Sequence, residues 1–207
     1  MTTMSLRLQI VVFDGFDEID VFGPYEMLSV PGIAVELATV GGSTTVRSMR
    51  GIVIEPETTL DRCDGIIVPG GGWGNRADAG AWGEAQRGDL AARLIELEPD
   101  MPWIASVCSG GMLLASAGLL AGRPATTNRS CYDDLRPLVG EVIDERVVDD
   151  GNRITAGALF CGADLGLWII ERELGTAAAD RAAAGKAYQR QGRVWHSGNH
   201  PIVTRSE

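Results

Sequence analysis

Three runs of strand length, residues 6–13, 65–68 and 103–107, are apolar at almost every position, and each gives way to a stretch with helical character. A run that is apolar throughout, rather than at alternate positions, reads as a strand buried on both faces. Strands of that kind, joined through helices, build a mostly parallel sheet with helices on either side. Residues 33–40 supply another strand, and Val46, Ile52 and Ile54 around Arg50-Gly51 predict a hairpin over residues 44–55. Residues 17–30 predict a short helix with an acidic start and an interruption at Gly23-Pro24, and residues 75–98 a helical region. Further short strands are expected at 125–127, 146–148 and 152–157, a helical turn at 131–138, and helices over 109–120, 160–174 and 176–187. No linker or repeat divides the chain. The expectation is one α/β domain over residues 1–187, a three-layer sandwich, with residues 188–207 as a polar C-terminal tail or arm.

Composition narrows the function classes. A chain of 207 residues, 45% hydrophobic and 22% charged, has the makeup of one globular domain. Eighteen basic against 28 acidic residues give a net charge of −10, which argues against a nucleic-acid surface and against an anionic membrane surface. No apolar run reaches membrane-spanning length, and the start of the chain runs into a strand without a signal pattern, so a cytoplasmic location is expected. Lys186 is the only lysine, a bias that suggests a GC-rich bacterial genome. Cys63, Cys108, Cys131 and Cys161 form no C-x-x-C pair and have no histidine near them, so neither a metal site nor a metal cofactor is expected. The two histidines, His196 and His200, both fall in the tail, so a Cys–His dyad would require the tail to fold back over the domain.

The segment Trp103-Ile104-Ala105-Ser106-Val107-Cys108-Ser109-Gly110-Gly111 carries the strongest chemical signal. A buried strand ends at Cys108, and the small residues after it allow an abrupt turn into a helix, as at a nucleophile elbow. A helix N-terminus favours thiolate over thiol, so a lowered pKa is expected there. From the residues alone, a buried structural cysteine at a strand end fits equally well. Pro69-Gly70-Gly71-Gly72, at the end of another buried strand, can bring backbone N–H groups close to a ligand as an oxyanion-type hole. Asp20, between Ile19 and Val21, is hard to place on a solvated face. A carboxyl group among apolar neighbours has a raised pKa, which suits a general acid or base.

Taken together, these segments resemble the ThiJ/PfpI superfamily: residues 6–13, Asp20-Val21-Phe22-Gly23-Pro24, Val68-Pro69-Gly70-Gly71-Gly72, Val107-Cys108-Ser109-Gly110, and the later stretches 117–127 and 150–157. Within it the chain is most similar to the isocyanide hydratase branch and to the ligand domains of related AraC-type regulators. The resemblance implies a flavodoxin-like, class I glutamine amidotransferase-like fold. It implies Cys108 as nucleophile and Asp20 as its acidic partner. Gly71 and Gly72 fall in the backbone oxyanion turn, and Ser109 matches the residue after the nucleophile. Asn128 stands where the family often has His, which weakens a glyoxalase- or deglycase-like reading, and Ser109 stands where the protease-like branch has His. The activity implied is cofactor-independent hydration of a small organic isocyanide through a covalent Cys108 intermediate. The alternatives are action on small carbonyls, or a redox-sensing or ligand-binding protein that is not an enzyme. A small-molecule substrate and a homodimer are the partners expected.

Overall fold

A computed structural model describes residues 5–42 and 45–197, so the start of the expected hairpin at Thr44, His200 and the last residues of the expected tail lie outside the described residues. The chain runs β1 (Leu6–Val11), α1 (Glu18–Leu28), β2 (Ile33–Thr39), β3 (Val46–Arg47), β4 (Val53–Ile54), β5 (Thr58–Thr59) and β6 (Gly65–Val68). It continues through α2 (Ala81–Arg87), α3 (Asp89–Leu97), β7 (Ile104–Val107), α4 (Gly110–Ser116), β8 (Pro124–Ala125) and α5 (Tyr132–Leu135). Last come β9 (Glu141–Val142), β10 (Val147–Asp149), β11 (Arg153–Ala156), α6 (Cys161–Leu174), α7 (Thr176–Gly185) and β12 (Val194–His196).

Eight strands form the main sheet in the order β12-β10-β11-β7-β6-β1-β2-β5. Its centre is parallel, as continuous apolar runs require, and β6 and β7 are buried at every position. β10 and β12 are the exceptions, parallel to each other and antiparallel to the rest of the sheet through β11. Helices α1, α6 and α7 pack together, and so do α2, α3 and α4, flanking the sheet in a flavodoxin-like arrangement. Strand order reverses between β1 and β6, because the chain moves from β1 outward to β2 and only then to β6 on the other side. Crevices at the carboxyl ends of the strands at such a reversal are where open α/β sheets bind ligands.

Three sequence expectations change. The helix thought to break at Gly23-Pro24 is continuous, with Pro24 inside α1. The proline removes one helix hydrogen bond, but α6 presents Gly162 and Gly166 here, and a side chain at either position would meet Pro24 or Met27. This close α1–α6 packing holds the helix together. Second, the helical region 75–98 is two helices, parted at Gly88, whose φ of +81° ends α2 and starts α3. Third, residues 188–197 are not outside the domain. β12 extends the sheet beside β10, the Gln191 N–H and the Tyr188 hydroxyl both reach the buried carboxylate of Asp164, and His196 stacks on Trp168. A short polar segment gave no strand signal. Its pairing comes from the free edge of β10.

Candidate active site

β7 brings Cys108 to the carboxyl edge of the sheet, and four hydrogen bonds fix its backbone. The Cys108 N–H donates to the carbonyls of Ala156 and Gly157 at 3.0 and 2.8 Å, and the Cys108 carbonyl accepts from Thr127 Oγ1 at 2.6 Å and from the Gly111 N–H at 3.1 Å. They hold Cys108 at a φ of +54°, the left-handed region that a non-glycine residue enters at a cost of about 1–2 kcal/mol. The strand can turn this sharply into α4 only because Gly110 lies against the Val68 carbonyl, where no side chain fits. The elbow expected from the sequence is therefore present. The sulfur accepts a hydrogen bond from Asn128 Nδ2 at 3.3 Å.

Asp20 comes from the first turn of α1 and is completely buried. Its Oδ2 accepts the Gly70 N–H at 3.1 Å, while Oδ1 has no hydrogen-bond partner among the described residues. A Cβ at Gly70 would lie 2.5 Å from Ser109 N and Oγ and 3.0 Å from Asp20 Oδ2, so glycine there lets the carboxyl group approach the elbow. Burial, and then the neighbouring charge of Asp17, push the Asp20 carboxyl up to about 7. The Gly70 N–H, the Cys108 thiol and the Leu159 N–H oppose that rise.

The lowered thiol pKa expected at a helix terminus does not appear. Burial first, and then the charge of Asp20, push Cys108 up to about 12, against the opposing effects of Asn128 and of the Ser109 and Leu159 N–H groups. α4 has only seven residues, and Cys108 is 6% exposed, so loss of hydration outweighs a short helix's dipole. Two acids this close titrate as a pair, and from about pH 7 to 12 the pair carries one negative charge. Burial works against the thiolate here, the opposite of the direction expected from the sequence.

Of the residues singled out from the sequence, Cys108, Asp20, Asn128 and Ser109 converge. Gly71 does not face the sulfur with its N–H, which donates to Ser109 Oγ at 3.0 Å. Gly72 packs toward Ala77 and Ala79 on the far side of the loop. Asn128 Nδ2 is the donor within hydrogen-bond distance of the sulfur among the described residues, and the Ser109 and Leu159 N–H groups lie where they favour its charged form. Leu159 was missed because nothing in a Gly-Ala-Leu-Phe stretch reveals a leucine held at a φ of +47°. A cavity of about 410 Å³ opens beside Asn128, bordered also by Tyr132, Arg146, Ala158 and Cys161. Cys108, Asp20 and Cys131 do not border it, and Cys63 lies apart, hydrogen-bonded to the Gly65 carbonyl. Among the described residues, no three His, Cys, Asp or Glu side chains converge to hold a metal ion, and no helix is long and apolar enough to cross a membrane.

Glu18, two residues before Asp20, ties the β3–β4 hairpin to the site. It accepts hydrogen bonds from the Ser48 hydroxyl, from the Arg50 N–H at 2.9 Å and from Arg50 Nη1 at 2.5 Å. Burial would raise its pKa, but the Ser48 and Arg50 bonds prevail and hold it at about 2. A depressed carboxyl pKa stabilises the fold fully above the ordinary value of 4.5, and that contribution is lost as pH falls toward 2. Glu18→Gln is therefore expected to destabilise the protein at pH 7 by about 1–3 kcal/mol in urea titrations. The difference from wild type should shrink steadily from pH 4.5 to pH 2.

The sequence profile of the DJ-1/PfpI family matches residues 7–172. The chain is 33% identical over 178 residues to an isonitrile hydratase of Pseudomonas putida, covering 83% of this chain and 74% of that one. It is 27% identical over 172 residues to a deglycase of Pyrococcus horikoshii, covering 80% and 96%. Among solved structures, a ThiJ/PfpI family protein from Pseudomonas syringae superimposes with a TM-score of 0.79 at 28% identity, covering 91% of this chain and 78% of that one.

Proposed function

The chain belongs to the DJ-1/PfpI family, and from that membership we propose that it hydrates a small organic isocyanide to the N-formamide, with Cys108 as nucleophile and Asp20 as general acid and base. The observation that carries this reading is a fully buried carboxyl group, poised to titrate near neutral pH, beside a thiol at a strained strand–helix turn. Similarity to the P. putida isonitrile hydratase supports the choice of substrate.

Addition begins from the resting ionisation, carboxylate and thiol. The sulfur bonds to the terminal carbon of R–NC while Asp20 takes the thiol proton and delivers it to that carbon, giving the thioimidate R–N=CH–S–Cys108. Asn128 Nδ2 and the Ser109 and Leu159 N–H groups stabilise charge on sulfur as the S–H bond breaks. Water then loses a proton to Asp20 as it adds to the same carbon, and the nitrogen takes that proton. The resulting R–NH–CH(OH)–S–Cys108 breaks its C–S bond, the hydroxyl proton returns to sulfur, and R–NH–CHO leaves. Atoms and charges balance with water as the only co-reactant.

The test is proton NMR of the purified protein with a panel of alkyl and aryl isocyanides, following the formyl proton of the product. Turnover of none of them would overturn the proposal. Consumption of methylglyoxal by the same sample would favour the carbonyl reading suggested by the deglycase relative, against which Asn128 in place of an imidazole weighs. Because the reacting pair must carry one negative charge, kcat/KM is expected to rise about tenfold per pH unit below pH 7, bend near 7 and stay level toward pH 10. A profile flat from pH 5 to 8 would separate the chemistry from Asp20.

A further inference from the structure

The hydration mechanism uses Asn128 but leaves the rest of the cavity beside it without a role. Arg146 borders that same cavity, and a short chain of contacts joins it to the elbow. The Gly157 N–H donates to the Arg146 carbonyl at 3.0 Å, and the Gly157 carbonyl accepts the Cys108 N–H at 2.8 Å. Asn128 Nδ2, at the cavity's other named border, reaches the Cys108 sulfur at 3.3 Å. The cavity therefore adjoins the donor to the sulfur and extends to the arginine.

The Arg146 guanidinium is divided between two environments. Nε donates to Asp164 Oδ2 at 2.6 Å, and Nη2 lies 2.5 Å from the same oxygen. Asp164 is 1% exposed, and the Tyr188 hydroxyl and the Gln191 N–H hold its other oxygen. One edge of the guanidinium is thus fixed to a buried carboxylate. Nη1 has no hydrogen-bond partner among the described residues and is not a buried atom, the side chain being 31% exposed.

The charges around the cavity are paired. Arg129 Nε donates to Asp144 Oδ1 at 2.7 Å, Arg146 is held by Asp164, and Glu145 lies 3.9 Å from Arg193. An anionic ligand would meet the carboxylates of Asp144 and Glu145, and a cationic one the two arginines. What the wall offers is the N–H donors of Nη1, and their complement is a neutral hydrogen-bond acceptor.

From this arrangement we infer that Arg146 selects the substrate, an isocyanide whose R group carries an ester or amide carbonyl that accepts a hydrogen bond from Nη1. The inference rests on the hydration reading and names the substrate class for it. Bonding of the terminal carbon to sulfur carries R away from Cys108, and the cavity beside Asn128 is the space that receives it. An alkyl R group of the same length leaves Nη1 without a partner.

Methyl isocyanoacetate and n-butyl isocyanide match in chain length and differ in the ester. Comparing their kcat/KM ratio in wild type with the ratio in Arg146→Lys cancels the difference in intrinsic reactivity. Lysine keeps the charge beside Asp164 but has no second nitrogen to offer the cavity. The preference for the ester is expected to fall about tenfold in Arg146→Lys, the value of one hydrogen bond from a charged donor, with the change carried by KM. The isocyanoacetate anion should show a higher KM than its methyl ester. An unchanged ratio in folded Arg146→Lys, or a lower KM for the anion, overturns the inference while hydration itself stands. If wild type hydrates no isocyanide, the hydration reading falls, and binding reads the contact instead. In protein isotope-labelled at arginine, N-formylglycine methyl ester at about 10 mM should shift the Arg146 side-chain NMR signal, and N-butylformamide should not. The same measurement serves if Arg146→Lys does not fold. No shift with the ester, or equal shifts with both, overturns the inference.

Discussion

Cys108→Ala is expected to lower isocyanide turnover by about 10⁴-fold or more, to the level of the uncatalysed reaction, because no other group can form the thioimidate. Of the four cysteines, Cys108 alone accepts a hydrogen bond from Asn128, and Cys161 alone borders the cavity beside it. Mass spectrometry of wild-type protein quenched during turnover should find the added R–NCH mass on the peptide containing Cys108, and adduct on the Cys161 peptide instead would move the nucleophile. The same position carries a stability test. At a φ of +54° alanine keeps the strain and glycine relieves it, so Cys108→Gly should be more stable than Cys108→Ala by about 1 kcal/mol. Both variants should be inactive. A glycine variant no more stable than the alanine one would mean that the four bonds to the Cys108 backbone, rather than relief of strain, set the energy of the turn.

Asp20→Asn is expected to lower kcat by about 10²-fold or more and to remove the inflection near pH 7. Asparagine can still accept the Gly70 N–H, but it cannot take the thiol proton and return it. Stability moves the other way. A carboxyl group raised to about 7 by burial favours the fold when protonated, fully so below its ordinary value of 3.8. That contribution disappears as pH rises through about 7, so at pH 8 the wild type holds a buried, ionised carboxylate. The asparagine variant should therefore melt at pH 8 no lower than wild type, while losing activity. A fall in both would make Asp20 a structural residue. Wild-type turnover in a folded variant would leave Cys108 without its proton carrier and end the mechanism.

How far these residues were legible varies with the range of the forces involved. Cys108, Ser109 and the glycine turns could be found because a buried strand meeting small residues is a local pattern, and Asp20 because a carboxyl group between Ile19 and Val21 is out of place on a wet face. The parallel sheet was readable for the same reason: continuous apolar runs in β1, β6 and β7 can be buried only between two layers. Tertiary structure alone decided what depends on atoms distant in sequence. The free edge of β10 recruits residues 194–196 into the sheet, and packing on Gly162 and Gly166 keeps α1 whole through Pro24. Ser109 Oγ takes the Gly71 N–H away from the sulfur, and Asn128 Nδ2 supplies a donor in its stead. The direction of the Cys108 pKa was the furthest from reach. A helix terminus is visible in a sequence and argues for the thiolate, but the hydration that Cys108 loses is set by every neighbour that covers it, and in this fold that loss is the larger effect.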